Sequence, residues 1–184
     1  SGPVKDDPVA AGVTGATVLM GVNDAMLASC TIPSNASCTT NATSPLVAIL
    51  KEAIGIEKAI LNTTHAYTAS QSLVDGPSKK DLREGRAAAQ NIIPSSTGAA
   101  HATTLAHTDL KGKFDGISIR VPVPVGSIVD VTFIASRDTS VEEVNQALTN
   151  AAATDTWKDL FAVSNEPLVS SDIIGARFAA IADL

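Results

Sequence analysis

Apolar positions fall into two rhythms along the middle of the chain. Leu46, Ile49, Leu50, Ala53 and Ile54 recur at helical intervals, which gives one side of that stretch an apolar stripe. The spacing predicts a helix that begins at or just after Cys38 and is capped by Gly55. Ile56 to Tyr67 follows, rich in β-branched residues and without helical periodicity, and reads as a strand. Two further strands are expected at Gly116–Val123 and Ser127–Ser136, joined around Pro122, Pro124 and Gly126. Val141 to Ala152 is an amphipathic helix opened by Thr139-Ser140, with Glu143 placed for a capping box. Shorter elements are expected as strands at Ala16–Val22, Met26–Pro33 and Ile174–Ile181, and as a weak Ala-rich helix at Thr97–His107 preceded by the loop Pro94-Ser95-Ser96.

Two segments break these rhythms. Residues 1 to about 17 are rich in Gly, Pro and Ala and read as a loop. Residues 69 to 90 form a long polar stretch centred on Gly76-Pro77, and a connection of that length inside a compact domain is usually functional. Strands punctuated by helices without strict alternation predict an α+β fold. No Gly-x-Gly-x-x-Gly fingerprint occurs, so a complete dinucleotide-binding unit is not expected in this chain. The chain opens on Ser1-Gly2 rather than Met and reads as a piece of something longer.

Composition narrows the function classes. A net charge of −6 with scattered basic residues argues against nucleic-acid binding, which needs clustered Lys and Arg. No apolar run approaches the roughly 18 residues of a membrane span. The only cysteines are Cys30 and Cys38, too few for a disulfide framework, and a reducing cytoplasm is the expected compartment.

The candidate chemistry starts at Cys38. At the N-terminus of a helix, free backbone N–H groups and the helix dipole favour a thiolate. A lone cysteine can equally be an inert core thiol, although Ser37, Thr39, Thr40 and Asn41 are poor packing partners for one. His65, inside a predicted strand with polar neighbours, could take and return a proton, or it could be a satisfied core histidine. His101 and His107 are expected on the surface, and Cys30 in a packing role.

Four segments in order, SNASCTTN, TTHAYTASQ, DGPSKKDLREGRAAAQNIIPSSTGAA and RVPVPVGSIVDVT, resemble the phosphorylating glyceraldehyde-3-phosphate dehydrogenases, and the likeness runs from about Gly21 to the C-terminus. The resemblance implies a mixed, largely antiparallel sheet with helices on one face, plus a long inter-subunit loop at Ala69–Gln90. It implies that residues 1–34 are the end of a dinucleotide-binding domain and 35–184 a catalytic domain truncated at its C-terminus. Cys38 becomes the nucleophile and His65 its base. Thr68 and Arg120 face the phosphate of glyceraldehyde 3-phosphate, and Ser37, Thr39, Thr97 and Gly98 face the attacking inorganic phosphate or the substrate. Arg83 matches a substrate-binding position and Ser1 a cofactor-contacting serine. Gly76-Pro77 resembles the NAD-preferring loop rather than the NADP form, and a homotetramer is implied for the full-length enzyme. Ala42 stands where many members carry a second cysteine. Erythrose-4-phosphate dehydrogenase is the rival within the class, and a Cys/His hydrolase of thioesters or acyl phosphates the rival outside it.

Overall fold

A computed structural model describes residues 14–79 and 81–184. Ser1 lies outside the described residues. The first elements are a short strand β1 (Gly15–Thr17) and its parallel partner β2 (Ile32–Ser34). The strands expected at Ala16–Val22 and Met26–Pro33 are thus much shorter. Asn23 and Asp24 are the reason: Asn23 accepts from the Leu19 N–H and donates to the Thr17 carbonyl, while Asp24 accepts from the Gly21 N–H. Such side-chain bonds to nearby backbone close a turn in place of a ladder. A 3-10 turn over Asp24–Ser29 then replaces most of the second expected strand.

Helix α1 (Cys38–Ala53) starts where the sequence places it. Ser37 is its N-cap, its hydroxyl accepting from the Thr40 N–H at 3.2 Å. Strand β3 (Ile56–Ala66) follows after Gly55, whose φ of 87° ends the helix in the left-handed region. Then come β4 (Ile93–Ser96), α2 (Ala99–Ala106), β5 (Phe114–Val121) and β6 (Ser127–Ala135). Helix α3 (Val141–Ala152) is capped by Ser140, although Glu143 turns away to pair with Arg137 at 2.6 Å rather than closing the box. Strands β7 (Phe161–Ser164) and β8 (Ala180–Asp183) pair in parallel.

Three differences from the sequence reading have local causes. Strand β4 occupies residues expected as loop, because Pro94 needs no ladder N–H on the outer edge of a sheet. Strand β7 was not expected, since four residues are too few to display a rhythm. The last strand lies at 180–183 rather than Ile174–Ile181, after a turn in which Gly175 takes φ 85°.

The main sheet has the order β4-β5-β3-β6. Its outer pairings are antiparallel and the central β3–β5 pairing is parallel. One face meets the helices. Ala59 and Leu61 from β3 and Phe114 from β5 join Val47, Ile49 and Leu50 of α1, Leu148 of α3, and Trp157 and Phe161 in a single buried core. The opposite face leaves Ile60, Ile117, Ile128 and Ile134 exposed. The fold is therefore α+β with a mixed, mostly antiparallel sheet and helices on one side.

Along that helix-facing side the cross-strand rows change character. Gly116, Leu61 and Val131 are register partners in one row, and Ser118, Thr63 and Val129 in the next. The following row is Arg120, His65 and Ser127. Apolar filling thus gives way to polar groups within three rows, at the end of the sheet beside the N-terminus of α1.

His107, expected on the surface, is instead 5% exposed, and its Nε2 lies 3.2 Å from the Ser44 carbonyl. Its neutral ring donates there, tying the end of α2 to the middle of α1. Burial is the main cause that holds this imidazole below its ordinary 6.5, outweighing the Ser44 bond that favours protonation. The unfolded chain binds a proton as the pH falls through the ordinary value while the folded protein still refuses it. Stability therefore drops on acidification through that window. Urea midpoints at pH 7.5 and 5.5 should differ, and His107→Gln should shrink the difference; an unchanged difference would remove His107 from the account.

Candidate active site

Cys38 is the first residue of α1, an exposed residue whose thiol is partly buried. Strand β3 brings His65 up beside it, with Sγ and Nε2 3.2 Å apart. The other ring nitrogen, Nδ1, is 2.7 Å from the Ala66 carbonyl. A carbonyl can only accept, so Nδ1 carries the proton and Nε2 is left with a lone pair facing the sulfur. That tautomer is the one able to receive the thiol proton.

The Cys38 thiol is lowered from 9.0 to about 7, first by the His65 hydrogen bond and against the opposing effect of burial. The imidazole is raised in turn, first by its bond to Cys38. Each group thus favours the ionised form of the other, and the two titrate as a coupled pair. The Thr39 backbone N–H in the first turn of α1 and the Thr39 hydroxyl, 3.9 Å from Sγ, add smaller support for the thiolate.

A cavity of about 170 Å3 opens over this pair. Of the residues singled out from sequence, Ser37, Cys38, Thr39, His65, Thr97, Gly98 and Arg120 all line it. Arg120 is His65's partner across β3–β5, and its half-buried guanidinium makes no ion pair among the described residues. Burial disfavours its charge and the facing Cys38 favours it. Thr97 accepts from the Ala99 N–H at 3.1 Å, so its hydroxyl also serves the start of α2. Two helix N-termini and an unpaired guanidinium therefore meet in one small polar cavity, an arrangement suited to an anion.

Thr68 and Arg83 lie outside the cavity lining, on the connection between β3 and β4. Thr68 is half-buried, its hydroxyl 3.2 Å from Ser70. Arg83 is exposed on a 3-10 turn over Leu82–Gly85, which Asp81 caps by accepting the Arg83 N–H. That connection folds back on itself: Ser72 N–H donates to the Glu84 carbonyl, Gly76 N–H to Gly85, and Ala88 N–H to Ser72. Asp75 accepts from the Ala87 N–H and pairs with Arg86 at 3.1 Å. Gly85 is required there, because any Cβ would strike the Gly76 carbonyl. Ser96 and Ser118 also line the cavity and were missed from sequence. Ser118 was findable, since it sits two residues before Arg120 and so on the same face of β5.

Much larger depressions occur at the far end of the sheet, about 910 Å3 beside Lys58 and Lys113, and between α1 and α3, about 690 Å3. Neither contains a cysteine or histidine.

Residues 37–184 match the sequence model of the glyceraldehyde 3-phosphate dehydrogenase C-terminal domain. The chain belongs to the glyceraldehyde-3-phosphate dehydrogenase family. A glyceraldehyde-3-phosphate dehydrogenase of Mycobacterium tuberculosis is 46% identical over 184 residues, all of this chain and 52% of the relative. Those of Mycolicibacterium smegmatis and Borreliella burgdorferi are 46% and 47% identical, over 95% and 91% of this chain and 49% and 50% of their own lengths. The chain thus spans about half the length of the curated relatives it matches.

The Cys38–His65 geometry makes a direct prediction. Alkylation of Cys38 by iodoacetamide should rise with pH through an inflection near 7. His65→Gln should move the inflection up toward the ordinary thiol range and slow the reaction at pH 7 by roughly an order of magnitude or more. An unchanged inflection would mean that His65 does not activate the thiol.

Proposed function

We propose that this chain is the catalytic part of an NAD-dependent phosphorylating glyceraldehyde-3-phosphate dehydrogenase, with residues 35–184 as its catalytic domain and 1–34 as the end of its dinucleotide-binding domain. The observation that carries the reading is Cys38 Sγ at 3.2 Å from the unprotonated nitrogen of His65, at a helix N-terminus and in one cavity with Arg120.

The cavity of about 170 Å3 at Cys38 is below the roughly 300 Å3 at which ligand pockets begin and is too small to take a dinucleotide. NAD supplies the hydride acceptor when the full-length enzyme holds it. What this chain supplies is the covalent chemistry. The Cys38 thiolate attacks the aldehyde carbon to give a thiohemiacetal, and His65 takes its hydroxyl proton. Oxidation leaves a thioester on Cys38, and inorganic phosphate then displaces the thiolate to release the acyl phosphate. Protonated His65 can then stabilise the oxygen charge that develops as phosphate attacks.

Arg120 is suited to the substrate's own phosphate, with Thr68 and Arg83 completing that side as the substrate enters. Ser37, Thr39, Thr97 and Gly98, which line the same cavity, are proposed to face the attacking phosphate or the substrate. Gly76-Pro77 supports NAD over NADP, and Ser1 is proposed as a cofactor contact. The isoleucines exposed on the outer sheet face support a homotetramer, and the Ala69–Gln90 connection is proposed to reach across a subunit interface to a neighbour's cofactor pocket. Two free cysteines support a cytoplasmic setting. No helix among the described residues is long and apolar enough to cross a membrane.

In the full-length enzyme, Cys38→Ser should abolish NAD-dependent oxidation, and His65→Asn should lower kcat by about 10²–10⁴-fold. Arg120→Gln should raise KM for glyceraldehyde 3-phosphate, since a forked, charged contact is lost. A kcat/KM for erythrose 4-phosphate comparable to that for glyceraldehyde 3-phosphate would overturn the substrate assignment.

A further inference from the structure

The helix-facing row of β6 runs Ala135, Phe133, Val131, Val129 and then Ser127. The first four pack against the buried core. Ser127 breaks that row with a hydroxyl, and it does so at the position directly across from His65. Its Oγ lies 3.2 Å from the Oγ1 of Thr39. Thr39 is 5% exposed, so little water competes for that hydroxyl.

The direction of this hydrogen bond follows from proton counting. An ionised Cys38 has no proton to give, so across the Cys38–Thr39 contact only Thr39 can donate. The single Thr39 proton is then committed to the sulfur. With the Thr39 proton on the sulfur, 3.9 Å away, the Ser127 hydroxyl is the donor to Thr39, giving a chain from Ser127 through Thr39 to the thiolate. Donors in series polarise one another, so the outer hydroxyl strengthens the inner bond.

The backbone fixes Ser127 in this place. Ala66 N–H donates to the Gly126 carbonyl at 3.0 Å, while the Ala66 carbonyl accepts from His65 Nδ1–H. One residue thus holds the imidazole with one backbone group and the start of β6 with the other. A slip of one residue would place Gly126 or Ile128 opposite His65 instead.

We propose that Ser127 is a positioning residue for the nucleophile, acting through Thr39 to hold a hydroxyl donor on Cys38. The proposal rests on the reading of Cys38 as nucleophile given above. The charged groups facing Cys38 are His65 from β3 and Arg120 from β5. Ser127, from β6, supports the thiolate without adding charge.

The test is iodoacetamide alkylation of the full chain from pH 5.5 to 9.5, read on the peptide that contains Cys38. Ser127→Ala should shift the inflection to higher pH, with the rate at pH 6.5 falling roughly threefold to tenfold, the effect of losing one hydrogen bond. At pH 9.5, where the thiol is ionised in both proteins, the rates should agree. Ser127→Gly should shift the profile likewise, and Ser127→Thr should restore it. On a Thr39→Val background, Ser127→Ala should add nothing further, because the two hydroxyls act in series. Superimposable profiles for the wild type and Ser127→Ala, or an equal rate loss at every pH, would overturn the proposal while leaving the nucleophile reading intact. A wild-type inflection in the ordinary thiol range would overturn both.

Discussion

Everything at the site depends on how β3 is paired on its two sides. Parallel pairing with β5 sets Arg120 beside His65, and antiparallel pairing with β6 sets Ser127 on the other flank. Side chains alternate faces along a strand, so a one-residue slip on either side would turn the polar row away from α1. The slip is resisted far from the chemistry. Ala59, Leu61 and Phe114 can be buried against α1 only in this register. The hydrophobic core and the reactive pair are therefore enforced by the same ladder.

Helix α1 supplies the other half of the constraint. Its apolar stripe packs Val47, Ile49 and Leu50 into the core, which fixes where its first residue falls. Ser37 caps the backbone there, and Cys38 comes next, with the His65 ring at hydrogen-bond distance. Buried His107 clasps the same helix at Ser44 from the α2 side, so α1 is held along its length as well as at its tip.

The parts of this arrangement that were legible in the sequence are those with a long repeat. Helix α1, helix α3 and strands β3, β5 and β6 all carry enough alternation to be placed, and the start of α1 at Cys38 was readable from its apolar spacing. The short elements were not. Asn23 and Asp24 end β1 through side-chain bonds that no periodicity reveals, and β4 tolerates Pro94 only because it lies on an edge, which is a fact about topology. The same limit applied to the site. Cys38 and His65 could be suspected singly, but their approach depends on a contact across 27 positions. His107 looked like a surface residue because its partner, the Ser44 carbonyl, is 63 positions away. Ser127 drew no notice for the same reason, although a hydroxyl ending an apolar row was there to be seen.

The parallel pairing of β3 with β5 has a consequence of another kind. Two parallel strands cannot be joined by a tight turn, so the chain must travel from Ala66 to Phe114 by a long crossover. Thr68, Arg83, Thr97 and Gly98 all ride on that crossover, whereas Cys38, His65 and Arg120 belong to the framework on either side of it. Surface connections accept insertions and substitutions at small cost, while a packed ladder does not. Thr68, Arg83, Thr97 and Gly98 thus sit on a stretch of chain separable from the one that carries Cys38 and His65. The crossover could be lengthened or re-sorted without disturbing the pair.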